Sequence, residues 1–318
     1  MKSFRSRLLA RIRNVICSCF YELWWETYTQ VNGGQLKWAN PGCHEWHRPF
    51  VADPFLFHHQ GTNWLFYETV NDKWVGKIGC FKEVDGEWEQ QGIVLENPWH
   101  MSYPQVFEED GHIYMIPEQS NNGDGNVSLY EAMDFPRGWV KRKVLIERPF
   151  ADSTLLKKDN HYYLACYTIP PHETAELWHA PTLFGPWKRH PQWGNINQSN
   201  RLRRCGGNFI WRGDKLYRIA QDCNRAYGKR LFMVEVVLVS PNQYKEGDAT
   251  VFLDRHTAPH YYKHTYNEIK VGLDVVSVFD CRFYHLKPLP KLISSVPFFF
   301  KRIFLSFRHR LRRRTLLR

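Results

Sequence analysis

The chain repeats about every fifty residues, and that period leaves few folds open to it. Four segments begin alike: Val51-Ala52-Asp53-Pro54, Ser102-Tyr103-Pro104-Gln105, Phe150-Ala151-Asp152-Ser153 and Cys205-Gly206-Gly207-Asn208. Each puts a polar or turn residue at the head of a short apolar strand. Tight polar turns follow at Gln60-Gly61, Asp110-Gly111, Asp159-Asn160 and Arg212-Gly213, which lie 50, 49 and 53 positions apart. A second, aromatic strand comes next, over residues 64–67, 113–116, 162–165 and 216–219. Trp88, Trp139 and Trp187 then follow Gly-containing turns 51 and 48 positions apart, the first two ahead of outer strands expected at 92–95 and 144–146. Four antiparallel strands per fifty residues, with turn signals between them, describe propeller blades. A β-sandwich would not keep the period. The predicted fold is all-β, a five-bladed β-propeller, whose fifth blade draws residues 271–284 together with a strand before residue 50. The ring would thus close by sharing strands from both ends of the chain. The 13 Trp, 16 Tyr and 21 Phe, punctuated by 18 Pro and 20 Gly, suit such a fold.

The net charge of +11 belongs to the ends. Residues 1–20 and 296–318 hold 13 of the 43 Lys and Arg and no acid, leaving 30 bases against 32 acids between them. In each tail the basic residues alternate with apolar ones: Phe4, Leu8, Leu9, Ile12, Val15 and Ile16 in the first, Phe298, Phe299, Phe300, Ile303, Phe304 and Phe307 in the last. Spacings of three and four place these on one helical face with Arg on the other, the pattern of helices that lie in an anionic membrane interface. The expected organisation is a basic amphipathic tail over 1–20, the propeller over 21–292 and a second membrane-binding tail over 293–318. A near-neutral body offers nucleic acid no footprint, so none is expected as partner. No run of 18 apolar residues is present, and residues 1–20 do not read as a secretory signal. Among the eight Cys there is no C-x-x-C pair, so neither a zinc site nor any other metal or cofactor is called for. The expected location is cytoplasmic, peripheral to the inner face of the membrane.

Inner strands of a propeller line its central channel, so polar residues at their heads converge. Those residues are Asp53, Tyr103, Asp152 and Asn208 with the glycines before it. Second strands return to the same end and bring Glu68, Glu118, Thr168 and Asp222. Carboxylates gathered this way repel one another, which structural roles seldom require. Paired carboxylates are what glycosyl chemistry needs, one to protonate a leaving oxygen and one as base or nucleophile. The candidate catalytic residues are Asp53, Asp152, Glu118 and Glu68. Candidate substrate-binding residues are His100, Tyr103, Arg204, Asn208, Asp222, Tyr227 and His264, with the Arg204 guanidinium suited to a phosphate or carboxylate.

Several motifs recur in the order of a known family: Phe50-Val-Ala-Asp53-Pro-Phe-Leu-Phe57 with Leu65-Phe-Tyr-Glu68, His100-Met-Ser-Tyr-Pro104-Gln-Val-Phe107, Tyr114-Met-Ile-Pro-Glu118, Leu183-Phe-Gly-Pro-Trp187, Gly206-Gly207, and 216–223 followed by Tyr227-Gly228. Over roughly 45–250 the chain resembles the N-terminal propeller domain of plant glucosamine inositolphosphorylceramide transferases and its stand-alone bacterial relatives. Its architecture is similar to that of five-bladed arabinanases, xylosidases and fructan-active enzymes. The resemblance implies a role in building glycolipids or surface polysaccharide. The leading expectation is a membrane-peripheral glycosyltransferase that joins an activated sugar donor, carried on a nucleotide or lipid phosphate, to a glycan or glycolipid acceptor. The alternatives are a glycoside hydrolase and a non-catalytic glycan-binding propeller.

Overall fold

The structure, a computed structural model, describes residues 21–39, 50–119, 125–169, 171–224, 226–253 and 262–286. Both expected tails lie outside these residues. The compact body is Trp25–Cys281; the strand ends on either side of it belong to a second unit. Among the described residues no helix is long and apolar enough to cross a membrane.

The body is a five-bladed propeller. Blade 1 runs outward through Ala52–His59, Thr62–Val70, Gly76–Val84 and Glu87–Leu95. Blade 2 comprises Ser102–Glu109, His112–Glu118, Val127–Asp134 and Arg137–Ile146, and blade 3 Phe150–Lys158, His161–Thr168, Ala175–Ala180 and Lys188–Arg189. In blade 4 the inner strand is split into Arg204–Cys205 and Ile210–Arg212, ahead of Lys215–Gln221, Leu231–Val239 and Tyr244–Leu253. Blade 5 takes Tyr266–Val271 and Asp274–Leu286 from the end of the repeat, then Tyr21–Val31 and Lys37–Trp38 from its start. The expected sharing of strands is therefore what closes the ring.

Two-residue hairpins link the first two strands, with φ of 48° and 76° at Gln60-Gly61, 51° and 77° at Asp110-Gly111, and 51° and 56° at Asp159-Asn160. Positive φ at both positions matches the twist of the flanking strands, and Gly, Asn and Asp supply it most readily. In blade 4 the turn falls one residue later than expected, on Gly213-Asp214, because Arg212 still pairs with Lys215. Trp88 and Trp139 do not precede their outer strands but lie within them, since Glu87–Leu95 and Arg137–Ile146 start directly after the turns.

The core lies between blades. Side chains alternate across a strand, so neighbouring residues serve opposite interfaces. Phe57 and Phe66 pack with Val106, Met115 and Trp139 of blade 2, whereas Leu56 and Leu65 pack with Val276 and Val278 of blade 5. Leu155 and Leu164 likewise meet Ile116 and Leu129 of blade 2, while Leu156 and Tyr163 meet Leu216 and Val236 of blade 4. Ile210, Ile219 and Leu231 meet Tyr266 and Phe279, completing five interfaces.

One distortion recurs at the channel mouth. Asp53, Tyr103 and Asp152 have φ of 46°, 49° and 48°, and the inner-strand register breaks there in each blade. These are β-bulges, which leave a residue out of the ladder and re-aim its side chain. In blade 4 Gly207, at φ 132°, lies in the gap between the two halves of the inner strand.

Candidate functional site

A bulge frees a backbone N–H that must find another acceptor when buried. Here carboxylates of the preceding blade provide it. Asp280 Oδ2 accepts the N–H of Asp53 at 3.0 Å, and Glu118 Oε2 accepts that of Asp152 at 3.0 Å. Asp280, in the second strand of blade 5 one residue past the last one paired with the inner strand, was missed in the sequence. Extending the series Glu68, Glu118, Thr168, Asp222 by one blade would have reached it, but the longer loops of blade 4 stretch the interval.

Asp53 is buried at the junction of blades 1 and 5. Its Oδ1 accepts the Thr265 hydroxyl at 2.6 Å and lies 3.3 Å from His264 Nε2. His264 Nδ1 lies 2.6 Å from Asp280 Oδ2, and Asp280 Oδ1 accepts the N–H groups of His264 and Thr265, each at 3.0 Å. Trp25 stacks on the imidazole at 3.8 Å, and Tyr227 meets it edge-on at 5.2 Å. Burial opposes charge on this ring, but Asp280 and Asp53 outweigh it and hold His264 near 9, a buried imidazolium. Burial raises Asp53 to about 6 against the pull of His264. Among the described residues, Asp53, His264 and Asp280 form the group whose donor atoms lie close enough, within 4.8 Å, to hold a metal. Their carboxylate oxygens already accept three N–H groups and a hydroxyl, and His264 supplies the positive charge, so the group is a hydrogen-bonded charge network.

Asp152 heads blade 3. Its Oδ2 takes the Arg204 Nε and, at 2.7 Å, the Gln221 amide. The Arg204 guanidinium lies 5.3 Å from the Tyr167 ring and 5.1 Å from that of Tyr227, with 19% of its side chain still exposed. Burial raises Asp152 to about 6; Arg204 opposes this and Glu118 adds to it. A cation held by two rings and one carboxylate can still present its outer face to a second anion.

Glu68 and His100 stand together between blades 1 and 2, with His100 Nε2 3.2 Å from Glu68 Oε1. The Gly76 N–H donates to His100 Nδ1 at 2.9 Å, so the ring proton belongs on Nε2. Burial works against a charged His100, but the hydrogen bond and charge of Glu68, with Glu118 nearby, outweigh it and raise His100 above its ordinary value.

Asp53, Asp152, Glu68, Glu118, His100, Arg204, Tyr227 and His264 are thus gathered at the mouth. Three other candidates are engaged elsewhere. The Tyr103 hydroxyl, fully buried, accepts the Gly207 N–H at 2.6 Å and shares a 2.8 Å bond with Thr154 Oγ1, tying blades 2, 3 and 4. Asn208 accepts the Gln105 amide at 2.8 Å and donates its N–H to Asn267 at 2.7 Å, in a polar belt across the channel. Asp222 is buried against Arg230 Nε at 2.9 Å. The Gly206-Gly207 pair serves packing: a Cβ would meet His264 O at 2.7 Å or Tyr266 O at 1.8 Å. Trp25, Tyr167, Gln221 and Trp74 were not singled out in the sequence; Trp25 comes from a strand outside the repeat, where no period points to it. A cleft of about 600 Å³ lined by Trp211, Phe252 and Tyr266 lies between blades 4 and 5, near the hairpin turns rather than the mouth.

Residues 36–278 match the model of the family described as glucosamine inositolphosphorylceramide transferase 1, N-terminal. The chain belongs to this family. Two proteins called glucosamine inositolphosphorylceramide transferase 1 are similar to it: one from Arabidopsis thaliana, 34% identical over 64% of this chain and 28% of the relative, and one from Oryza sativa subsp. japonica, 36% identical over 62% and 27%. The chain thus matches little more than a quarter of the length of these relatives. Among solved structures, RS223-β-xylosidase superposes with a TM-score of 0.55 at 10% identity, covering 76% of this chain and 93% of the other. A thermostable family-43 glycoside hydrolase superposes at 0.53 and 12% identity, covering 69% and 82%. At such identities the likeness concerns the fold alone.

Proposed function

We propose that the chain is a membrane-peripheral glycosyltransferase that adds a sugar to a lipid-linked or cell-surface glycan at the channel mouth. One observation carries this reading: two buried carboxylates, Asp53 and Asp152, each near 6, share the mouth with one stacked, partly exposed guanidinium, Arg204. Near neutral pH Asp53 is mostly ionised and takes the proton of an acceptor hydroxyl. The hydroxyl oxygen attacks the anomeric carbon, and the bond from that carbon to the donor oxygen breaks with its electron pair. A phosphate leaving group departs without needing a proton, so one base and one cation suffice. Arg204 would hold that phosphate, and Asp152 with Gln221 would fix Arg204. Glycoside hydrolysis, by contrast, requires an acid as well as a base. The relatives' name includes an inositolphosphorylceramide, which supports a lipid-borne acceptor. The basic, aromatic tails support work at the cytoplasmic membrane face.

The test is to compare lipid-linked and surface glycans by mass spectrometry from cells carrying the wild type, Asp152→Asn, or Asp53→Asn with Asp152→Asn. Loss of one defined sugar, with the variants folded, is expected. Unchanged products would remove the catalytic reading and leave a sugar-binding module, which the match to only a quarter of the relatives' length already favours as second choice.

A further inference from the structure

At the hairpin end of the propeller, opposite the channel mouth, blades 2 and 3 part to leave a cavity of about 320 Å³. Phe184, Tyr114, Tyr162, Glu109, Lys157 and Asn160 line it. Strand alternation brings several of them there. Glu109 follows Phe107 on the face that blade 2 turns to blade 3, and Lys157 pairs with Tyr162 on the facing side of blade 3.

Phe184 is the member that packing does not account for. The turn ahead of Trp139 sends its aromatic residue inward, where Phe135 packs 5.0 Å from Trp64 and 6.0 Å from Phe66. In the matching turn ahead of Trp187 the buried residue is Leu183, and Phe184 beside it stays 43% exposed. Its ring stands edge-on to Tyr114 at 6.0 Å. The turn is well tied. Thr182 Oγ1 donates to Gly185 O at 2.7 Å, and the Gly185 N–H donates to Thr182 O at 2.9 Å. The Trp187 indole N–H donates to Leu183 O at 3.0 Å. The aromatic face is thus held in place, at little entropic cost to a ligand that covers it.

The polar lining has spare capacity. Lys157 Nζ and the Tyr162 hydroxyl both donate to Glu109 Oε1, the second at 2.7 Å, and among the described residues Oε2 has no partner. Burial opposes charge on Glu109, but Lys157 and Tyr162 outweigh it and hold the carboxylate below its usual range. The Tyr114 hydroxyl and the Asn160 side-chain amide likewise have no hydrogen-bond partner among the described residues. Lys157 cancels the charge of Glu109, and Asp110 at the rim leaves the lining negative, which disfavours an anion. A neutral pyranose suits these features. Its C–H face covers an aromatic ring, and its hydroxyls donate to a carboxylate and exchange hydrogen bonds with a phenol and an amide.

We propose that this cavity is a glycan-anchoring site for a neutral pyranose ring, which stacks on Phe184 and hydrogen-bonds Glu109 Oε2, the Tyr114 hydroxyl and the Asn160 amide. It goes beyond the chemistry proposed at the mouth and does not depend on it. The inner strand Ser102–Glu109, of 8 residues, spans about 25 Å between the two ends, so one ring cannot occupy both sites.

The test places 4-fluorophenylalanine in the full chain in place of Phe184. Its fluorine NMR signal is followed during titration with methyl β-D-glucopyranoside, methyl β-D-galactopyranoside and methyl α-D-mannopyranoside. At least one produces a saturable shift with a Kd of about 1 mM, the range for a ring of this size. Tyr114→Phe raises that Kd about fivefold, while the melting temperature holds, because the deleted hydroxyl serves no partner in the protein. Asp53→Asn with Asp152→Asn keeps the full titration, so this site and the reading of the mouth stand or fall separately. Absence of a saturable shift with all three glycosides overturns the site. So does an unchanged Kd in Tyr114→Phe, or loss of the shift in the double variant of the mouth.

Discussion

Asp280 accepts the backbone N–H of Asp53 across 227 positions of sequence. The bond joins the last blade to the first, so closing the ring and building the site are one event. The same carboxylate also takes the N–H groups of His264 and Thr265. Asp280→Ala would leave three buried N–H donors and a buried imidazolium without their acceptor. A loss of about 3 kcal/mol or more is expected, read as a shift in the denaturation midpoint. Asp280→Asn keeps one carbonyl oxygen and should lose less; equal losses would count against the hydrogen-bond account.

The raised His264 makes stability depend on pH in a defined sense. A group held near 9 when folded, against 6.5 when unfolded, binds its proton more tightly in the native state. Its contribution is complete below about 6.5 and disappears as pH rises through 9. Between pH 6.5 and 8.5 the wild type should therefore lose about 2 kcal/mol. His179, lowered to about 4, acts in the opposite direction and below that window. His264→Gln should flatten the curve over the interval; a curve of unchanged slope in urea titrations at both pH values would rule His264 out as its source.

Arg204→Ala removes the cation from a carboxylate that is already near 6. The Asp152 pKa should climb further and stability fall by about 3 kcal/mol. Lys in that place restores the charge but not the planar face held between Tyr167 and Tyr227, so Arg204→Lys should recover only part of the loss. Carbonyl-labelled NMR of Asp152 together with thermal melts would check both statements.

Glycine matters here by contact more than by conformation. A Cβ at Gly207 would lie 1.8 Å from Tyr266 O, at φ 132°, while at Gly61, φ 76°, it meets nothing within 4 Å. Gly61→Ala should cost about 1 kcal/mol. Gly207→Ala should fail to close blades 4 and 5, seen as loss of the cooperative unfolding transition. Comparable melting of the two variants would contradict this packing.

Removing residues 1–20 and 294–318 should abolish co-flotation with anionic liposomes, because the body between the tails is close to neutral. If the shortened chain still floats, the body carries the membrane contact.

The amino-acid sequence by itself determined the blade and its repeat. Strand pairing is local, so turn residues at fifty-residue intervals and alternating apolar residues suffice to specify each hairpin and to bring Asp53, Asp152, Glu68 and Glu118 to one end. The shared fifth blade could also be read, since the repeat leaves unpaired strand at both ends. Only the tertiary structure decided what those groups do. The contacts that pair Asp152 with Arg204 and Asp53 with His264 run between blades, and His264 meets Trp25 because the fifth blade joins strands from both ends of the chain; their geometry depends on how five twisted sheets close. Tyr103 shows the difference most clearly. Its position follows the same period as Asp53 and Asp152, and its backbone has the same left-handed bend. Its longer side chain crosses the channel and spends its hydroxyl on Gly207 and Thr154. The spacing of residues along a chain records where a side chain starts; what it reaches depends on the neighbour that folding places opposite.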